Sequence, residues 1–178
     1  KRLPGFGPTK EFVITKYGEM PSDWKFTKIL DFASQKSVRA NDEKVRSVLS
    51  CSKHEGFVDS LSYFKKQVFS EDTSNYKVVK RNWFGFPANH IEEGSIGLQN
   101  VCDEGIVSPI YIVFALDEKK CMPEYLYPIL KTEHYRQIFA ASTNASVDRR
   151  GSLRWDGFGI IKIALPSVKE QEAISAVI

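Results

Sequence analysis

The apolar residues of this chain occur in short segments separated by turn-forming residues, and this spacing limits the folds available to it. The longest such segment, around residues 110–116, is far shorter than the roughly 20 residues that a membrane-spanning helix needs. Segments rich in β-branched and aromatic residues predict short strands at residues 45–49, 76–79, 110–115 and 160–164. Turn-forming residues predict connections at residues 72–75, 92–95 and 103–105.

Inside the predicted domain, one region has helical spacing instead. Between residues 123 and 141 the apolar side chains recur every three or four positions, and Pro128 is expected to split or kink the helix. Strands outnumber helices and do not alternate regularly with them. We therefore predict an α+β fold: a mixed, mainly antiparallel sheet with a few helices, in a domain over residues 25–166. Residues 1–24, rich in Pro and Gly, are predicted to be a loop-rich lead-in.

Residues 167–178 predict the start of a helix. Ser167 and Glu170 have the spacing of a capping box, in which the two side chains satisfy free N–H groups of the first turn. A helix of about 11 residues is marginal in water by itself, so we expect the start of a long spacer helix. Its apolar face is expected to contact a partner or a like helix through Ile174, Val177 and Ile178.

Composition indicates a cytoplasmic globular domain and little more. The 178 residues suit one domain, and a hydrophobic fraction of 42% is ample for a packed core. Cys51, Cys102 and Cys121 are widely spaced and odd in number, which favours free thiols in a reducing compartment. The first residues lack an apolar signal segment, so secretion is not expected. The net charge of +3 is too small to identify a nucleic-acid-binding protein by itself.

Motifs for catalysis or cofactor binding are incomplete in this sequence. Residues 157–159 (Gly-Phe-Gly) lack the third glycine of a dinucleotide site and are predicted to be a turn. The cysteines and His54 lack the second ligand pair of a structural zinc site. Residues 118–120 (Glu-Lys-Lys) have the form of a nuclease tripeptide but are expected to be a solvated turn. Residues 86–89 do not supply a methyltransferase motif. We expect a non-catalytic binding module that holds no cofactor and no metal.

Lys and Arg outnumber Asp and Glu in residues 36–66 and in residues 131–154. The second region includes a polar segment, residues 143–152, which is either an ordinary solvated loop or a loop that reaches a DNA groove. Arg and Asn match the edges of guanine and adenine, whereas Ser, Thr and Lys suit phosphates. The candidate DNA contacts are Arg149, Arg150, Asn144, Ser146, Arg154, Lys53 and Arg39.

Three stretches resemble the specificity subunits of type I restriction–modification systems. Residues 163–174 are similar to the family's I-P-L-P-P-L-x-E-Q-x-x-I junction before a spacer helix, and depart from it at Ala164 and Ser167. Residues 105–114 resemble the G-x-[VI]-S-P-x-Y-x-V-F strand, and residues 18–24 resemble the G-x-I-P-x-x-W start of a recognition domain. Two supporting matches lie at residues 76–79 and 94–97, although Arg81 and Asn82 stand where the family often has Gly-Asp.

The resemblance covers nearly the whole chain in the family's order, and it implies a role in bacterial defence. It implies a recognition domain that lies in the major groove of double-stranded DNA and reads half of a split target. The implied partners are methyltransferase subunits, which carry S-adenosylmethionine, and through them a restriction subunit, which carries ATP and the nuclease. One alternative is a recognition-domain fragment of a fused restriction–methylation enzyme. The other is an assembly protein with no DNA role.

Overall fold

The fold is described from a computed structural model, over residues 11–15, 18–41, 44–144 and 151–177. It is a mixed α+β fold, about 28% helical and 32% strand, built from several small antiparallel sheets, as the sequence predicts. The strands are β1 (Phe12–Thr15), β2 (Gly18–Pro21), β3 (Lys25–Lys28), β4 (Ala33–Lys36), β5 (Leu49–Ser52), β6 (Gly56–Asp59), β7 (Lys77–Lys80), β8 (Phe84–Pro87), β9 (Gly97–Leu98), β10 (Glu104–Val107), β11 (Tyr111–Leu116) and β12 (Lys162–Leu165). The α-helices are α1 (Ser60–Phe64), α2 (Pro123–Leu130), α3 (Glu133–Asn144), α4 (Trp155–Gly159) and α5 (Val168–Ser175). None of these helices is both long and apolar enough to cross a bilayer.

The central sheet has the strand order β4-β11-β8-β9 and is antiparallel throughout. Strand β11 lies inside it, and the apolar run predicted as a strand at residues 110–115 forms it with a shift of one residue. Because successive side chains of a strand point to opposite faces, Ile112 and Phe114 enter one hydrophobic cluster, and Tyr111 and Val113 enter another. The sheet is therefore covered on both sides.

The main core lies between the central sheet and helices α2, α3 and α4. Its centre is a group of aromatic rings that are fully buried. The ring centroids of Phe84 and Phe114 are 5.0 Å apart, those of Phe114 and Phe158 5.2 Å, and those of Phe86 and Phe158 4.8 Å. Such offset and tilted ring pairs stabilise beyond their buried area. The opposite face of the sheet packs on β5, β6, β7 and β10.

The predicted helical region is two helices, as expected, but the chain does not break at Pro128. Pro128 lies inside α2, and the break falls three residues later, between α2 and α3. There the backbone N–H of Tyr135 donates to Thr132 Oγ1 at 3.4 Å, so a side chain satisfies a free donor of the new helix. The Thr132 side chain therefore caps the start of α3.

One strand prediction and one turn prediction are wrong. Strand β5 begins at Leu49, and Val45, predicted to be in a strand, is 95% exposed. Residues 103–105 are not a turn, because β10 begins at Glu104. The cause is a long-range ion pair: Glu104 Oε1 accepts from Arg46 Nε at 2.6 Å, which holds the segment before β5 against β10.

Other differences lie near the two ends of the chain. The predicted lead-in contains a hairpin, β1–β2, which pairs Phe12 with Pro21. The Gly-Phe-Gly sequence lies in helix α4 rather than in a turn, because Phe158 anchors that helix in the main core. The last strand, β12, begins two residues later than predicted and pairs with β3. The helix after it starts as predicted, since Ser167 Oγ accepts from the N–H of Glu170 at 3.3 Å.

All three cysteines are free thiols, as predicted. Cys121 is fully buried and Cys51 half-buried, and burial raises the pKa of each thiol to about 12. In the unfolded chain these thiols ionise from about pH 9, whereas in the folded chain they stay neutral. Stability is therefore complete below about pH 9 and decreases as the pH rises towards the folded pKa.

Alkaline solution should accordingly destabilise this fold through the two thiols. Between about pH 8 and pH 10 we expect the two together to lower the free energy of unfolding by about 3 kcal/mol. The double variant Cys51→Ala, Cys121→Ala should have a flatter dependence of unfolding free energy on pH. Urea unfolding followed at several pH values measures both slopes, and equal slopes would contradict this assignment.

Candidate nucleic-acid interface

Four cations lie along two adjacent segments of the chain, and we call them the basic ribbon: Lys36, Arg39, Lys77 and Lys80. The segment after β4 runs antiparallel to β7, and Arg39 is paired with Lys77 in an isolated bridge. The N–H of Val78 donates to the carbonyl of Val38 at 2.8 Å in the same pairing. This long-range pairing brings together basic residues that are about forty positions apart in the sequence.

Trp83 contacts the two lysines at one end of the basic ribbon, Lys36 and Lys80. Lys36 Nζ lies 5.8 Å from the centroid of its indole ring, and Lys80 Nζ lies 5.7 Å from it. Trp83 is itself half-buried against the second hydrophobic cluster. Cations at this distance are attracted to the ring face, so the indole holds two lysines close together without neutralising them.

The basic ribbon keeps an excess of positive charge. Its nearest carboxylate, Glu104, is 4.0 Å from Lys80 Nζ and also binds Arg46 and Lys44 at 2.6 and 2.9 Å. Hydrogen bonds from Arg46 first, and then from Lys44, hold the pKa of Glu104 below its usual value. Within the described residues no ion pair joins the other three ribbon cations to a carboxylate.

Lys77 lies at the other end of the basic ribbon, beside Arg39, and is half-buried. Its Nζ donates to the carbonyl of Tyr111 at 2.6 Å. Burial, and then the neighbouring charge of Arg39, lower the pKa of Lys77. Arg39 Nη1 donates to Asn75 Oδ1 at 2.5 Å, which fixes that charge beside Lys77. Because the two cations repel each other, an anion bound between them would be stabilised.

Lys77 also lines an open cleft of about 720 Å³. The cleft has apolar walls from β11 and α4, and its polar lining residues are Gln35, Lys77, Asn89, Ser152, Arg154 and Asp156. Asn89 Oδ1 is buried and has no hydrogen-bond partner among the described residues. Lys77 is therefore the residue that the ribbon shares with the cleft.

The structure brings together only some of the residues predicted as DNA contacts. Arg39 lies in the basic ribbon, and Arg154 lines the cleft. Lys53 lies in the turn between β5 and β6, where its carbonyl accepts from Lys131 Nζ at 2.6 Å. It also lies beside Gly94, and none of these neighbours belongs to the ribbon or the cleft.

Ser146, Arg149 and Arg150 lie outside the described residues, and so does the side chain of Asn144, which ends α3. The described chain on either side of this segment is close together, since a Cβ at Gly151 would be 3.8 Å from Thr143 Cγ2. The residue after Gly151, Ser152, lines the cleft. Of the described residues next to this gap, Ser152 therefore lies at the cleft, and Gly151 and Thr143 lie close to each other.

The predicted partner face of the last helix has one residue turned towards the body. Ile174 is half-buried and packs against the main core. Val177 is 69% exposed, and Ile178 lies outside the described residues. A partner contact at this face stays a prediction, and of the described residues Val177 is the one accessible to it.

Sequence patterns did not identify Lys36, Lys77, Lys80 or Trp83 as parts of a site. Only the charge excess over residues 36–66 pointed towards the segment that contains Lys36. A possible metal group in the described part of the chain is His90, Glu92 and Glu93, where His90 Nδ1 lies 2.9 Å from Glu93 Oε1. His90 and Glu93 are exposed, and such groups are common on surfaces without an ion.

The fold is similar to solved structures of restriction–modification proteins. One is the HsdS subunit from Thermoanaerobacter tengcongensis, with a TM-score of 0.66 and 16% identity over 93% of this chain and 43% of that chain. Another comes from work on complex assembly and conformational transition of the type I R-M system, with a TM-score of 0.64 and 14% identity over 89% of this chain and 42% of that chain.

This chain spans less than half the length of either structure. No family model and no curated protein matches the sequence. The resemblance carried by the three motif stretches is confirmed at the level of the fold: the chain folds like part of an HsdS specificity subunit of a type I restriction–modification system.

Proposed function

We propose that this chain is a recognition domain that binds double-stranded DNA and reads half of a split target for a type I restriction–modification complex. The observation that carries the proposal is the basic ribbon, which shares Lys77 with the cleft, on an HsdS-like fold. The proposed recognition domain comprises residues 25–166, followed by the start of a spacer helix at residues 167–178.

The basic ribbon suits a DNA backbone. Lys77 and Lys80 lie in β7, and Lys36 and Arg39 lie in or next to the segment that pairs with it, so cations from two adjacent segments are available to phosphates. Phosphates bound here would position the duplex, and sequence would be read by residues that reach the base edges.

The proposed base-reading residues adjoin the cleft. Arg154 lines it, and Arg149, Arg150, Asn144 and Ser146 belong to the segment before Ser152, which also lines it. Sequence is read by side chains that match base edges, and Arg and Asn match those of guanine and adenine. We therefore assign the ribbon and cleft to the backbone and this segment to the bases. Lys53 is left out of the proposed contact.

The proposed partners are methyltransferase subunits and, through them, a restriction subunit, all in the cytoplasm. The domain itself is proposed to be non-catalytic, so the purified chain should not cleave or methylate DNA with ATP, Mg²⁺ and S-adenosylmethionine. The alternative of a fused restriction–methylation enzyme predicts a methyltransferase motif upstream in the same gene. An assembly protein without a DNA role predicts that the intact complex does not bind DNA.

Single alanine variants of Arg149, Arg150 and Arg154 separate phosphate contacts from base contacts. A lost phosphate contact should weaken binding to all sequences alike and lower the salt slope by about one. A lost base contact should cost about 1–3 kcal/mol on the true target and relax specificity at one base pair. The measurement is DNA affinity against salt, for specific and random duplexes, using the complex with its methyltransferase partner.

Lys53→Ala serves as the control, since its neighbours lie outside the proposed surface. Wild-type behaviour of all three arginine variants across the salt range would exclude this segment as the base-reading element. The basic ribbon would then remain as the site to test.

A further inference from the structure

Helix α1 carries exposed apolar side chains on a segment of the chain that is anchored at both ends. Leu61, Tyr63 and Phe64 are each more than 40% exposed. Ser60, which precedes them, is completely buried, and Phe69, which follows them, packs against a small hydrophobic cluster that includes residues of β7 and β10. Because both ends are held, the apolar side chains between them stay at the surface of the protein.

The single turn of α1 sets the direction of these side chains. Asp59 caps the start of the helix through its carboxylate. Lys65 ends it in the left-handed conformation, with a φ of 53°, and its N–H donates to the carbonyl of Leu61 at 3.0 Å. Leu61 and Phe64 are three residues apart and therefore lie on the same face of the helix. The ring of Phe64 also has an edge contact with Tyr63, with the centroids 5.0 Å apart.

Helix α1 belongs to the same set of paired segments as the basic ribbon. Strand β7 pairs with β10, and Ile106 of β10 is bridged to Val48. The carbonyl of Val48 accepts from the N–H of Ser60, the first residue of α1, at 2.9 Å. Three spacings of about 4.8 Å thus separate β7 from the start of α1, about 14 Å in total. One duplex could contact both, because its major groove alone is about 12 Å wide.

The charges around the apolar side chains of α1 suit a nucleic acid. Residues 60–70 include two exposed cations, Lys65 and Lys66, and no carboxylate. Proteins that deform DNA insert an apolar side chain between two base pairs from the minor groove, and Phe and Leu are among the residues that do so. Cations beside the inserted side chain can bind the phosphates next to the kink. An apolar edge followed by two lysines has this combination.

We propose that α1 is a wedge that enters the minor groove beside the phosphates bound by the basic ribbon. Phe64, supported by Leu61, inserts between two base pairs, and Lys65 and Lys66 bind the adjacent phosphates. This inference rests on the proposed function and adds a kink in the duplex to it. Because pyrimidine–purine steps unstack most easily, the wedge contributes to specificity through the deformability of the DNA rather than through hydrogen bonds to base edges.

The test measures the bend of DNA bound to the complete specificity protein assembled with its methyltransferase subunits. Selection from random-sequence duplexes by the wild-type complex first gives the target, and a duplex that contains it then carries a donor and an acceptor dye at its ends. Energy transfer between the dyes reports the bend, which is about 20–90° for inserted side chains. Phe64→Ala should straighten the bound duplex and lower its affinity about tenfold, because the stacking of an aromatic ring on a base contributes on this order.

The dependence of binding on salt separates the wedge from a charge effect. Phe64→Ala removes no charge, so the salt slope should stay at the wild-type value, whereas the double variant Lys65→Gln, Lys66→Gln should lower it by about two. Phe64→Leu keeps an apolar wedge and should retain most of the bend. Phe12→Ala is the matched control, because Phe12 is 52% exposed but lies in the separate two-stranded sheet β1–β2. Its bend and affinity should equal those of wild type.

Each contrary result has a definite meaning. A Phe64→Ala complex that bends the target like wild type overturns the wedge, and so does a wild-type complex that binds its target without bending it. Loss of the methyltransferase subunits from the Phe64→Ala complex would show that α1 docks a protein, which also overturns the wedge. These results leave the proposed function intact. A wild-type complex that selects no sequence overturns the proposed DNA-binding function itself, and the wedge with it.

Discussion

Replacement of Phe114 by alanine is expected to lower the free energy of unfolding by about 4 kcal/mol, within the range of about 3–5 kcal/mol for buried phenylalanines. Phe114 is fully buried in β11, at the centre of the main core. Its ring lies within 5.6 Å, between centroids, of Phe84, Phe158 and Trp155. Alanine would remove these contacts from β8 and from helix α4 at once, and urea unfolding of the purified chain measures the loss.

Phe64→Ala is the control for Phe114→Ala. Phe64 ends helix α1 and is 41% exposed, with an edge contact to Tyr63. Because much of its ring is already in water, truncation should cost less than about 1 kcal/mol. Similar losses for the two variants would mean that Phe114 does not organise the main core.

Prediction from sequence succeeded where a strand or helix is determined by its own residues. The run at residues 110–115 is apolar at every position, which requires burial on both faces, and β11 has that burial. The Ser167 cap formed because its hydroxyl needs only the N–H three residues ahead. Prediction failed at Val45 and at residues 103–105, where Arg46 binds Glu104 across 58 positions.

In the candidate site, too, local features could be predicted from the sequence and long-range pairings could not. The charge excess in residues 36–66 is visible in the sequence, but the basic ribbon depends on the pairing of Arg39 with Lys77. No local pattern records that pairing, so Lys77, Lys80 and Trp83 were missed. The polar segment that includes Arg149 and Arg150 was identified from side-chain chemistry, and the structure adds that Ser152, two residues after Arg150, lines the cleft.

The junction motif shows what family resemblance can and cannot provide. It marked the Glu170-Gln171 pair by position, without a reason for either residue. In the fold Glu170 is 1% exposed and Gln171 is fully buried, so both side chains lie in the protein interior. The apolar face that followed them was expected to bind a partner, yet Ile174 packs on the chain's own core. Helical spacing alone cannot distinguish these two uses.

Neutralising the basic ribbon should have the largest effect on DNA binding. In the variant Lys36→Gln, Arg39→Gln, Lys77→Gln, Lys80→Gln, each glutamine keeps part of the side-chain packing and removes one charge. If each cation contacts one phosphate, the salt slope should fall by about three to four, and affinity at about 0.1 M salt by about 10²- to 10³-fold. Specific and random duplexes should lose similar affinity, because phosphates carry no sequence information.

The matched control removes four lysines that lie elsewhere on the surface: Lys25, Lys28, Lys119 and Lys162. Three of them belong to the β3–β12 pair, and the fourth lies in the turn after β11. Both variants change the net charge by the same amount, so a general electrostatic effect would weaken both equally. Loss of binding in the ribbon variant alone, with an unfolding temperature near that of wild type, identifies a DNA backbone site. Equal losses would show that the ribbon has no special place in the interface, because only the total charge would then matter.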